Sequence, residues 1–131
     1  MTRSGRAGFT LVEMLTALAL LAALVAIAWA KFNTSYDKAL EATMVSDLRN
    51  LATAQEVYYR NHLTYSNDPA ALEVTPSAKS EIFITSADEK GWSGWNRIES
   101  ILTRCEVYVG STHSSPLGIA TSSEQIKCGK P

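Results

Sequence analysis

Residues 9–61 contain no glycine and no proline, and residues 9–30 contain no lysine, arginine or aspartate either. The first absence removes every strong helix breaker, so one helix is expected to run through the whole stretch, about 80 Å at about 1.5 Å per residue. The second leaves an apolar run long enough to cross the ~30 Å hydrocarbon core of a bilayer. One carboxylate, Glu13, interrupts that run. A carboxylate inside a spanning helix is disfavoured by about 2.5–3.5 kcal/mol and usually marks a functional site. Cysteine is scarce: Cys105 and Cys128 are the only two, and neither sits in a C-x-x-C motif. Zinc is therefore not expected, because two thiols would need His62 and His113, which fit no common ligand spacing. An excess of positive charge is also lacking. The formal net charge is -1, and setting aside Arg3 and Arg6 leaves ten basic against thirteen acidic residues. No basic field to attract nucleic acid follows from that balance, and no cofactor motif is legible.

Residues 1–8 read MTRSGRAG, with Arg3 and Arg6 and no acid. Under the positive-inside rule this end stays in the cytoplasm, and everything after Ala30 lies across the membrane. Gly8-Phe9-Thr10-Leu11-Val12-Glu13, behind a short basic leader and ahead of an apolar span, resembles the processing site of type IV pilins and of the pseudopilins of type II secretion. The resemblance implies cleavage between Gly8 and Phe9 by a prepilin peptidase, N-methylation of Phe9, and an assembly role for Glu13. It further implies partners: an inner-membrane assembly platform, membrane lipid before assembly, and other copies of the same chain in a homopolymer. Assembly would let the amine of Phe9 meet the Glu13 carboxylate of an adjacent subunit, offsetting two charges in an apolar bundle and setting the axial register. The sequence has Ala22 and Ala30 where many members of the family carry a breaker in the apolar half.

The resulting division is a cleaved leader at 1–8, a membrane and filament-core helix half at 9–30, an amphipathic half at 31–62, and a head at 63–131. Phe32, Tyr36, Leu40, Met44, Leu48 and Leu51 recur at spacings of four and three, and this stripe is the face expected to pack against the head. Asp37, Lys38, Glu41, Asp47 and Arg49 are assigned to a solvated opposite face. Asn61, Asn67, Asp68 and Pro69 end the helix near residue 62, and a short turn is expected at 69–72.

From residue 79 the period changes to two. Strands are expected over 81–85, through Trp92 and Trp95, over 105–109 and over 125–128, with residues 88–91 as a hairpin turn. Trp92 and Trp95 would lie on opposite faces unless Gly94 marks a bulge. Cys105 shares a face with Val107 and Val109, and Cys128 with Ile126. In an exported head with a small core, this favours a Cys105–Cys128 disulfide, which contributes roughly 3–4 kcal/mol in the chain-entropy model. The stretch 110–123, rich in Ser, Thr and Gly, reads as an exposed loop. The fold class is α+β: a long N-terminal helix against about four antiparallel strands.

No catalytic constellation of Ser/His/Asp or Cys/His is legible, and no enzyme is expected. Asp88 and Glu89 read as a solvated turn rather than part of a calcium site. Phe9, Phe32, Tyr36, Tyr58, Tyr59 and Tyr65 read as core or subunit contacts rather than an electron path. Polymerisation into a pilus is the leading function. A pseudopilin of a secretion or DNA-uptake machine is the alternative within the family, and a non-polymerising membrane-tethered module the alternative outside it. A plain signal peptide would instead be cleaved after Ala28-Trp29-Ala30. The resemblance places the chain in a bacterial inner membrane, then in an extracellular pilus or a periplasmic pseudopilus.

Overall fold

The computed structural model describes residues 8–131; Arg3, Arg6 and the remainder of 1–7 in the expected leader lie outside the described residues. Among the described residues a single helix, α1 (Leu11–His62), precedes four strands, β1 (Ser80–Asp88), β2 (Gly91–Ile98), β3 (Arg104–Val109) and β4 (Lys127–Gly129). The strands form one antiparallel sheet in the order β1-β2-β3-β4. The chain divides into two compact units, one ending at Tyr36 and one running from Asp37 to Pro131.

In the second unit Met44, Leu48 and Leu51 of α1 are fully buried with Trp92, Ile98, Cys105 and Val107 of the sheet and Leu72 of the intervening loop. The buried stripe starts later than the sequence pattern indicates. Phe32 and Tyr36 are 65% and 48% exposed, since they belong to the first unit and nothing there covers them. It also continues through Gln55, a polar residue at the right spacing. Of the residues assigned to the solvated face, Asp37, Lys38 and Arg49 are exposed, but Asp47 is corrected: it is buried, and its carboxylate accepts hydrogen bonds from the backbone N–H and hydroxyl of Ser77. A carboxylate is tolerated there because loop 63–79 brings donors to it.

Trp92 and Trp95 do lie on opposite faces. Trp92 is fully buried towards the helix, whereas Trp95 stacks on Phe83 on the outer face, ring centroids 4.4 Å apart. The bulge is not at Gly94 but in β1, where the register jumps from Ile84↔Gly94 to Ser86↔Ser93. The extra residue, Thr85, resets the alternation. Ile82 and Ile84 face inward before it and Ala87 after it, so Ser86 is turned out of the apolar layer. Gly94 has a different use: a Cβ there would sit 2.9 Å from the Phe83 carbonyl oxygen and 3.5 Å from the Leu51 side chain. Its absence leaves room for the Phe83 carbonyl of β1, while the Leu51 distance is an ordinary contact.

Cys105 and Cys128 are register partners on β3 and β4 and are disulfide-bonded. Thiol labelling of the denatured, unreduced protein is expected to modify neither; labelling of both would disprove the bond.

Candidate functional site

At the N-terminal end, Thr10 explains why α1 begins at Leu11. Its hydroxyl oxygen accepts the backbone N–H of Glu13 at 3.2 Å, as an N-cap residue does, and Glu13 falls at the third helical position, within the first turn. The Thr-x-x-Glu spacing is readable in the sequence as a capping signal. A first-turn carboxylate also gains about 0.3–1 kcal/mol from the helix dipole. Around it the apolar side chains are bare: Phe9, Leu11, Leu20, Leu24 and Ile27 are all more than 60% exposed. The residues from Leu11 into this run are apolar on every side, which is the pattern of a helix surrounded by lipid or by other helices rather than of one laid on a core. Each such side chain is worth about 1.5–3 kcal/mol when removed from water, so the run demands a non-aqueous environment. Trp29, 67% exposed, stands at the end of the run beside Lys31, the arrangement of an interfacial belt.

In the second unit, polar side chains fasten the loops to the scaffold. Gln55 grips the chain after α1 with both halves of its amide, donating to the Ser66 carbonyl at 2.7 Å and accepting the Ser66 N–H at 2.9 Å. Tyr65, beside it, donates its hydroxyl to Glu56 at 3.0 Å. Burial first, then this bond to a carboxylate, pushes its pKa up to about 12. Asn96 reaches across from β2 to the Met44 carbonyl at 2.8 Å.

Glu106 is the most heavily used of these side chains. Alternation along β3 puts it on the outer face, yet it is fully buried. The segment between β3 and β4 folds back over that face and turns its donors inward. The Ser115 hydroxyl and the backbone N–H groups of Leu117, Ile119 and Ala120 all donate to the Glu106 carboxylate, the Leu117 bond measuring 2.5 Å and the Ile119 bond 2.8 Å. The expectation of an exposed loop at 110–123 is thereby corrected. Its chain is polar in composition, but its backbone N–H groups find their acceptor in a buried carboxylate instead of in water.

Residues 3–29 match the family motif described as the prokaryotic N-terminal methylation motif. The chain carries the prepilin motif of type IV pilins and pseudopilins. No curated protein matches the sequence. The prepilin motif contains Gly8, Phe9 and Glu13 and ends at Trp29, so it covers the apolar half of the helix and no part of the head. Pilin-type proteins, among which this motif occurs, form a structural family.

A constellation absent from the sequence reading appears in the head. The Ser86 hydroxyl lies 2.9 Å from His113 Nδ1 and 2.9 Å from the Ser93 hydroxyl, and His113 Nε2 lies 3.1 Å from Asp88 Oδ1. Ser, His and Asp meet because the β1 bulge turns Ser86 outward and the returning chain lays His113 on the β1–β2 hairpin. A Cβ at residue 91 would collide first with the Val109 carbonyl oxygen and would also sit 2.9 Å from the imidazole edge, so Gly91 serves both the approach of β3 and the fit of His113. The ring is 7% exposed and both its nitrogens are engaged within the protein. Its evident work is to fasten the start of the β3–β4 loop, as Glu106 fastens the rest. The hydrogen bond from His113, then that from the Lys90 backbone, holds the Asp88 carboxyl below its usual range. A depressed carboxylate stabilises the fold above its unfolded pKa, about 3.9, and that contribution is lost as pH falls through the lower folded value. Amide exchange at 110–114 is therefore expected to accelerate only in strong acid, and in Asp88→Asn to be faster already at neutral pH.

Proposed function

We propose that this chain is a type IV pilin-like subunit that polymerises into a pilus after removal of residues 1–8. The observation that carries the reading is the join of the prepilin motif to an apolar helix half whose side chains are uncovered. Before assembly the uncovered surface resides in lipid; in the filament the corresponding halves of neighbouring subunits replace the lipid. Gly8 and Phe9 are the cleavage site for a prepilin peptidase, Phe9 is then N-methylated, and Glu13 receives the amine of Phe9 from an adjacent copy. The inner membrane holds the subunit as a single pass, leader inside, and an assembly platform there extracts it. The head, with its loops pinned to buried carboxylates and amides, presents a fixed outer surface to the filament exterior.

The same observations accommodate a periplasmic pseudopilus built by the same chemistry. Intact-mass measurement of the mature protein tests the common core of both. The expected mass is that of residues 9–131 with one added methyl group and two hydrogens fewer for the disulfide. A mature chain beginning at Lys31 would establish a signal peptide and end the filament reading. Electron microscopy of sheared surface material then separates the two, long fibres containing this chain being the expected result.

A further inference from the structure

The β2–β3 turn carries an unassigned surface. Its residues 99–103 join Ile98 to Arg104, and Leu102 at its tip is 77% exposed. A cavity of about 370 Å³ beside it is lined by Arg97, Arg104 and Lys130, by Ile101 and Leu102, and by Glu99 and Pro131. Arg97 is held by Glu81 at 2.6 Å, but Arg104 and Lys130 form no ion pair among the described residues. Arg97 and Arg104 are direct register partners across β2 and β3, a like-charge pairing that Glu81 relieves on the Arg97 side only. The two guanidiniums are nevertheless held in place. Arg97 sits 5.5 Å from the Phe83 ring centroid and Arg104 5.2 Å from that of Trp95, and the two rings stack on each other. The aromatic faces are thus already occupied and offer no platform for a base or a sugar. What remains for a ligand is the outward donors of the cations with an exposed leucine beside them.

The position of this surface within the second unit narrows the choice of ligand. Gly94 lies against Leu51 and Asn96 against Met44, so β2 runs towards the Asp37 end of the unit and the turn after Ile98 lies beyond Met44 in that direction. The chain from Ala30 to Asp37 spans at most about 25 Å even when fully extended. In the membrane-inserted subunit, a reading this inference rests on, a tether of that length leaves the turn within reach of the headgroup layer. We infer that the β2–β3 turn is a membrane-docking surface: Leu102 enters the acyl boundary while Arg104 and Lys130 engage the phosphates of anionic lipid headgroups. The surface holds the head against the leaflet until assembly withdraws the subunit.

The test is hydrogen–deuterium exchange on the full chain in lipid nanodiscs, made with phosphatidylcholine alone or with added phosphatidylglycerol. Exchange at 99–104 is expected to be about tenfold slower with the anionic lipid, the difference disappearing in high salt and in the Leu102→Ser/Lys130→Glu double variant. Both substituted side chains are exposed, so unchanged exchange in β1–β3 of the variant verifies that it is folded. Equal exchange in the two kinds of disc, with the chain retained in both, overturns the docking surface and leaves the membrane reading standing. Failure of the chain to enter either disc overturns the membrane reading and the inference with it. Protection in phosphatidylcholine discs by an added single-stranded oligonucleotide, without any response to anionic lipid, assigns the surface to a soluble polyanion and also overturns the proposal.

Discussion

Glu13→Ala subunits are expected to be cleaved and inserted normally and to be depleted from filaments. Removing a carboxylate from a spanning helix eases insertion by about 2.5–3.5 kcal/mol, so any defect must arise later. The rival local role of Glu13, closing the first turn behind the Thr10 cap, is worth about 0.3–1 kcal/mol, too little to block assembly in a helix this long. In a bundle of apolar helices, by contrast, the amine of Phe9 would stay charged without a partner, at a cost of several kcal/mol. The ratio of subunit in sheared filaments to subunit in the membrane fraction should then fall more than about tenfold. Glu13→Gln separates the two roles. It keeps the side-chain length and the helix preference but not the charge, and is expected to fail as Ala does. An unchanged ratio in both variants would remove the assembly mechanism and leave a tethered module.

Glu106→Ala is expected to destabilise the head by about 3–5 kcal/mol, because four donors that converge on one carboxylate would lose their acceptor together. Most single substitutions cost far less. Glu106→Gln should recover only part of the loss: its amide offers one oxygen where the loop needs two, and turns an NH₂ group towards N–H donors. Denaturant titration of the full chain in detergent gives the magnitude, and amide exchange at 115–120 gives the location. The disulfide still closes the loop covalently in both variants, so rapid exchange there with β1–β3 protected is the expected pattern. A loss under about 1 kcal/mol for Glu106→Ala would mean that water replaces the carboxylate without penalty.

The elements were largely legible in the sequence, and their polar fasteners were not. The helix could be read from the missing breakers and its end from Asn61, Asn67, Asp68 and Pro69; the strands and the cysteine pairing could be read from alternation. Asp47, Gln55, Asn96 and Glu106 share one reason for being missed. Each is a polar residue whose burial depends on a partner outside its own helix or strand, Ser77 for Asp47, Ser66 for Gln55, Met44 for Asn96, and residues 115–120 for Glu106. Periodicity assigns such residues to water unless the donors that satisfy them are known. For Gln55 a signal did exist: its place at helical spacing after Leu48 and Leu51 marks a buried face. The meeting of Ser86, Asp88 and His113 has no such signal, since it needs the Thr85 bulge, and Trp92 and Trp95 directed attention to Gly94 instead.

By itself, then, the sequence determined what each segment must do about water. An apolar run behind Gly8-Phe9 has to leave it, an amphipathic continuation has to lie half in it, and alternating strands have to give one face to a core. These follow from local composition and from two fixed periods, 3.6 and 2, which need no knowledge of neighbours. Only the tertiary structure decided what happens on the second face of the sheet. There the chain returns from β3 to β4: the buried Glu106 carboxylate collects the backbone and hydroxyl groups that the loop brings over it, and the loop's own His113 imidazole docks on Ser86 and Asp88 of the β1–β2 hairpin. Beside that face Arg104 and Lys130 form no ion pair among the described residues, next to an exposed Leu102. Hydrogen bonds between a strand and the loop that folds back over it are set by three-dimensional closure, and closure is a property that a linear pattern does not contain.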